Sequence, residues 1–229
     1  MVKDYYDVRA VFKKTDRAIY ISHLDLMRVM QRTFKRAKLP VWFTKGYNPH
    51  VYLMFSLPLS LGVSSDCEVM DFGIDMSAGR PDFEQLKADL NRALPEGLEV
   101  VKMYEPVMPH TIIGSCDYTV KFICEESAEV VKEKFNEFMA QDSILIEKRA
   151  KVNMKKTMVT VDIKPDIEVI SSSTDSGSFE ISLHLPAGIK HSLNVVAVAN
   201  AFEAFCGKEF DKICLNRTKI YDTNGDDFI

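Results

Sequence analysis

No Walker A loop, G-x-G-x-x-G, H-E-x-x-H or G-x-S-x-G occurs in the 229 residues, which removes the common phosphate-loop, dinucleotide, zinc-protease and hydrolase readings. Cysteine is sparse and scattered. Cys67, Cys116, Cys124, Cys206 and Cys214 are odd in number and never form a C-x-x-C pair, so they suggest neither a disulfide framework nor a structural zinc site. They also lack the close triplet that would hold an iron–sulfur cluster, so no cofactor is expected in this chain, and any radical chemistry would have to be carried by another one. Long apolar runs are missing too. No window approaches the roughly 18 apolar residues of a membrane helix, and the opening MVKDYYDVRA mixes charges where a signal peptide needs an apolar stretch. A cytoplasmic protein that makes no use of a membrane is the expectation.

What is present is a globular composition, 46% hydrophobic and 27% charged, enough to bury one large core or two of about 100 residues each. The formal net charge of -4 conceals an asymmetry: residues 1–50 carry 11 Lys/Arg against 4 Asp/Glu, and residues 51–110 carry 4 against 10. A local positive field of this kind steers an anionic partner even in an acidic molecule.

The stretch from Ile21 to Asp71 holds most of the candidate function. Before it, Tyr6, Val8, Ala10 and Phe12 alternate with more polar neighbours as a strand does, and residues 19–21 read as a short return. Ser22 then opens a capping box, S-H-L-D, its hydroxyl accepting from the Asp25 amide while the Asp25 carboxylate reaches back to the Ser22 amide. The helix that follows runs to about residue 38 and is stopped by Pro40. At about 100° per residue, Leu26, Met27, Met30, Phe34 and Ala37 fall on one side and Arg28, Arg32, Lys35 and Arg36 on the other. The cationic side is either a solvated face or an anion-binding one; the second reading gains because no acidic residue follows at i+4 to neutralise it.

A short strand at 41–44 leads into the loop Lys45-Gly46-Tyr47-Asn48-Pro49-His50, where Gly46 permits positive φ and Asn48-Pro49 favours a turn. From such a loop Tyr47 and His50 could stack on a base or hydrogen-bond a ligand. His23, in the first turn of the helix, sits where exposed N–H groups attract anions. If the loop folds over that helix end, His23, Asp25 and His50 become candidates for acid/base work or a divalent-metal site.

Strands at 51–57 and 68–74, a helix at 81–94 and a strand at 98–104 complete a β-α-β-β-α-β order, the order of a ferredoxin-like unit. Residues 105–114 read as a linker. Beyond it the pattern repeats in outline, with helices at 127–140 and from a Ser192 cap to Gly207, a turn-rich SSSTDSGS segment between strands at 167–170 and 179–185, and an acidic tail DTNGDDFI. The expected fold class is therefore α+β, two ferredoxin-like units with antiparallel sheets covered by helices: an N-terminal unit over 1–108 and a C-terminal unit over 115–229.

YISHLDLMRVMQR (20–32), GYNPH (46–50), LPLSLGVSS (57–65) and CEVMD (67–71) together closely resemble the bacterial radical SAM-linked protein family, a domain of unknown function. The match covers about 70 residues and is looser afterwards, chiefly VDIK at 161–164 and the strand around Asn216 and Arg217. Val51 stands where the family often has proline after the histidine, and Cys67 where an acidic or small residue is usual. The resemblance implies a domain found beside, or fused behind, a radical SAM protein with a cobalamin-type domain, in a context of RNA or ribosome modification. The expected function is a non-catalytic RNA-binding or substrate-presenting partner of a radical SAM enzyme. Ser22, Arg28, Arg32, Lys35, Arg36, Gly46, Tyr47 and Asn48 would be the RNA- or anion-binding residues; four phosphate contacts on a single strand predict a log–log salt slope of about -3. An RNA-processing enzyme using His23 and His50, and a protein–protein scaffold, are the alternatives.

Overall fold

The computed structural model describes residues 3–125, 127–152 and 155–229. The described residues form an α+β protein with four α-helices and mostly antiparallel strand pairing. Contacts divide the chain into two units: residues 1–113 together with Lys219–Asp222 and Asp226–Ile229, and Gly114–Thr218 together with Thr223–Gly225.

The first unit is built on β1 (Tyr5–Lys14), β2 (Leu53–Phe55), β3 (Val63–Asp75) and β4 (Leu98–Tyr104), with β1 between β4 and β3 and β2 on the far side of β3. All three pairings are antiparallel. The helices α1 (His23–Arg36) and α2 (Phe83–Ala93) supply Leu26, Met30, Phe34, Leu86 and Leu90 to a core that includes Val8, Ala10, Phe12, Met70 and Phe72. Strand alternation sends Arg9 the opposite way. It is 1% exposed and makes a bidentate pair with Asp71, Nε to Oδ1 at 2.7 Å and Nη2 to Oδ2 at 2.8 Å, directly across the β1–β3 ladder. Phe228 covers the guanidinium, its ring centroid 4.8 Å away. The expected acidic tail therefore carries a core residue, Phe228, whose amide donates a hydrogen bond to the Ile220 carbonyl at 3.1 Å.

In the second unit the strand order is β10-β5-β9-β8, from β5 (Ile113–Ile123), β8 (Glu168–Asp175), β9 (Ser178–Pro186) and β10 (Lys212–Asp222), the last of which gives its final residues to the first unit. A separate two-stranded ladder joins β6 (Leu145–Val152) to β7 (Lys155–Asp162). The helices α3 (Ala128–Ala140) and α4 (Val195–Cys206) pack Phe135, Phe138 and Phe202 together with Phe122 and Phe179.

Several local expectations shift. The serine-rich 171–175 stretch is strand, because the β9 ladder supplies hydrogen-bond partners that outweigh weak strand propensity. Asn194, not Ser192, caps α4, accepting from the Val196 amide at 3.0 Å. The expected return strand at 19–21 does not form: Ile19 and Tyr20 belong to a 3-10 turn over Asp16–Tyr20. The expected strand at 41–44 is reduced to single bridges, Val41 to Ile74 and Phe43 to Val51.

Candidate functional site

The cap of α1 forms as its sequence requires, with one change. The Asp25 amide donates to Ser22 Oγ at 3.2 Å, but the Asp25 carboxylate does not turn to the Ser22 amide; it accepts from the Ser22 hydroxyl at 2.7 Å and from Arg28 Nη1 at 2.8 Å. The Ser22 hydroxyl, and then Arg28, hold the Asp25 carboxyl below the ordinary 3.8. Arg28 is thus partly neutralised by a residue three positions before it.

The GYNPH loop is the tip of a narrow two-sided excursion from the sheet. Trp42 donates to the Gly73 carbonyl at 2.8 Å, Tyr52 to the Trp42 carbonyl at 3.1 Å and Thr44 to the His50 carbonyl at 2.8 Å. The rings of Trp42 and Tyr52 pack on Tyr5, with centroids at 4.5 and 5.2 Å. Gly46 has φ +142°, a conformation an L side chain rarely adopts, so the bend belongs to glycine. Tyr47 stands 99% exposed at the tip, beside exposed Asn48, and Lys45 is tethered to Asp4.

Between this excursion and α1 lies a cleft of about 410 Å³ lined by Arg28, Gln31, Arg32, Lys35, Phe43, Pro49, His50 and Val51. The four helix residues stand at i, i+3, i+4 and i+7, a single stripe down one helix face. The facing wall is apolar apart from His50. Among the described residues no ion-pair partner is recorded for Arg32 or Lys35, so these two cations face the cleft uncommitted.

His50 is oriented by its own loop. Its Nδ1 lies 3.0 Å from Thr44 Oγ1 and 3.1 Å from the Asn48 carbonyl oxygen, and its amide donates to Thr44 Oγ1 at 3.2 Å. A carbonyl oxygen can only accept, so the tautomer that satisfies the Asn48 carbonyl carries its proton on Nδ1, where the Thr44 hydroxyl can also accept, and has its lone pair on Nε2.

The predicted site residues separate into three groups. Arg28, Arg32, Lys35 and His50 come together in the cleft, with Gly46, Tyr47 and Asn48 on the loop that carries one wall. Arg36 leaves the stripe: its Nη2 donates to Thr33 Oγ1 and to the Ala93 carbonyl, both at 2.9 Å, so it caps the last turn of α2. Ser22, His23 and Asp25 sit at the helix start, outside the cleft lining. His23 packs edge-on against Phe55, centroids 5.4 Å apart, and lines a separate small cavity with Lys14 and Glu68. The two histidines therefore line different cavities. Among the described residues no three His, Cys, Asp or Glu side chains gather as metal ligands. No helix among the described residues is long and apolar enough to cross a membrane.

Gln31, Phe43, Pro49 and Val51 line the cleft without being among the predicted site residues. Gln31 was legible from the i+3 spacing to Arg28. Phe43 was not, because only the bridge to Val51 turns the 41–44 segment toward α1.

The chain belongs to the family described as uncharacterised proteins conserved in bacteria (DUF2344), whose model matches residues 8–195. No curated protein matches the sequence.

Proposed function

We propose that this protein is an RNA-binding, substrate-presenting partner of a radical SAM enzyme, without catalytic chemistry of its own, acting in RNA or ribosome modification in the cytoplasm. One observation carries the binding part: the cleft gathers Arg28, Arg32 and Lys35 from one helix stripe opposite His50, although the loop and helix are separated in sequence. Such a stripe supplies donors and positive charge to phosphates while the opposite wall offers apolar contact. The partner rests on the motif resemblance, in which the radical chemistry belongs to a neighbouring or fused protein. The strand orders β4-β1-β3 with β2 beyond β3, and β10-β5-β9-β8 with the β6–β7 pair set apart, support reading both units as ferredoxin-like, a plan that often serves RNA handling.

The deciding experiment is co-purification of the tagged protein from a bacterial lysate, with and without ribonuclease, followed by sequencing of bound RNA and identification of bound proteins. Recovery of an RNA set lost in an Arg32→Ala/Lys35→Ala variant, with a radical SAM protein in the same fraction, supports the proposal. A folded parent that brings down neither defeats it. For the alternative of an RNA-acting enzyme, His50 is the histidine that lines this cleft, while His23 lines another cavity.

A further inference from the structure

A phosphate needs only donors, and Arg28, Gln31, Arg32 and Lys35 provide them. The cleft contains two further features that a phosphate would not use. Phe43 stays 44% exposed on the facing wall rather than joining the core behind it. His50 lines the same wall, and in the tautomer that donates from Nδ1 to the Asn48 carbonyl its Nε2 is left as a hydrogen-bond acceptor. A ligand that uses all three features carries a phosphate, a flat apolar face and an O–H or N–H donor. The volume of about 410 Å³ lies near the lower end of the range in which clefts hold drug-sized molecules, large enough for one nucleotide and too small for a double helix.

We infer that the cleft takes one unpaired ribonucleotide unit, its phosphate between Arg32 and Lys35, its base against Phe43 and a hydroxyl or amine donor on His50 Nε2. The inference deepens the RNA reading above and rests on it for the source of that unit, a single-stranded segment of RNA. Stacking on Phe43 requires the base face to be free, which pairing in a duplex denies. The acceptor on His50 rewards the 2′-hydroxyl that distinguishes ribose from deoxyribose.

The test is fluorescence-anisotropy titration of the full chain with a labelled ten-nucleotide RNA, the same sequence as a blunt RNA duplex, the same sequence as single-stranded DNA, and AMP as competitor. Parent, Phe43→Ala, Phe43→Tyr and His50→Ala proteins are compared, with thermal unfolding run on each. The expected result is at least tenfold tighter binding of single-stranded RNA than of duplex. Loss of one stacked base in Phe43→Ala should weaken single-strand binding by about 5- to 160-fold, with recovery in Phe43→Tyr. His50→Ala should reduce the preference for RNA over DNA.

Equal affinity for single strand and duplex, or an unchanged affinity in folded Phe43→Ala, would overturn the single-unit inference while the RNA reading stood. AMP binding that depends on Phe43, without binding of any strand, would keep the ribonucleotide unit and overturn the RNA reading instead. Absence of binding to strands and AMP alike would overturn both.

Discussion

Removing Arg36 should leave the salt dependence of the proposed RNA binding untouched, although the sequence places Arg36 on the same cationic stripe as Arg32 and Lys35. Each phosphate contact with a single strand contributes about 0.7 to the log–log slope of affinity against salt. Arg32 and Lys35 are uncommitted in the cleft, whereas Arg28 is paired with Asp25 at 2.8 Å and Arg36 is tied to Thr33 and Ala93. Two contacts give a slope of about -1.4, and full participation of Arg28 raises it to about -2.1. Between 50 and 200 mM salt these slopes correspond to a loss of about 7-fold and about 18-fold in affinity, against about 48-fold for four contacts. Arg32→Ala and Lys35→Ala should each bring the slope to about -0.7, while Asp25→Asn, which frees Arg28, should steepen it toward about -2.1. Anisotropy titrations of a single-stranded RNA at four salt concentrations measure all of these. A parent slope near -2.8 that falls in Arg36→Ala would refute the assignment of Arg36 to the end of α2, and a parent slope near zero would remove phosphate contacts altogether.

Asp71→Ala should destabilise the protein by about 3–5 kcal/mol, because Arg9 would be left buried without its carboxylate, whereas Arg9→Met/Asp71→Leu should be far milder; urea unfolding compares the two. Arg36→Ala should lower stability by about 1 kcal/mol through the lost bonds to Thr33 and Ala93, read as a decrease in Tm. Gly97→Ala should cost more than about 1–2 kcal/mol: φ is +82° and the new Cβ would stand 2.5 Å from the Thr15 carbonyl oxygen, which thermal unfolding will report. The folded-state pKa of Asp25 lies below the ordinary 3.8, so its contribution to stability is present above the unfolded value and is lost as pH falls through the folded one, in the window below 3.8. Ser22→Ala should raise that pKa, the Ser22 hydroxyl being the leading cause, and remove about 1 kcal/mol of capping; carbon-13 NMR of the carboxyl and thermal unfolding separate the two effects.

Helix α1 was legible because its signals are local. The cap at Ser22, the 3.6-residue spacing of Leu26, Met30 and Phe34 and the stop at Pro40 all act within a few turns, and the observed helix runs His23–Arg36. The cationic stripe was legible by the same period, and so was a loop at GYNPH. Their meeting was not, because it depends on bridges from Val41 to Ile74 and from Phe43 to Val51, partners 33 and eight positions apart. The fate of Arg36 depends on Ala93, 57 positions away, and that of Phe228 on Arg9. Strand extents were misjudged for a related reason. The 13-residue β3 begins in the polar segment V-S-S-D, where Ser65 pairs with Lys14 of β1 beyond a register shift, a partner the local sequence does not announce.

The charge asymmetry of residues 1–50 shrinks in the same way once each cation is placed. Of the 11 Lys and Arg, Lys3 pairs with Asp7, Arg9 with Asp71, Arg28 with Asp25 and Lys45 with Asp4. Lys14 is buried and donates to the Ile19 carbonyl, and Arg36 caps α2. Lys13, Arg17 and Lys38 lie outside the cleft lining, which leaves Arg32 and Lys35 as its clear positive centre. On the proposed reading, two such charges on a molecule of net charge -4 would hold an anion where Phe43 and His50 also meet it, while the acidic remainder would discourage loose association with long polyanions. Binding that depends on a few phosphates must obtain its remaining affinity from the base and the sugar. That makes the aromatic and the histidine, rather than the count of basic residues, the features on which selectivity turns.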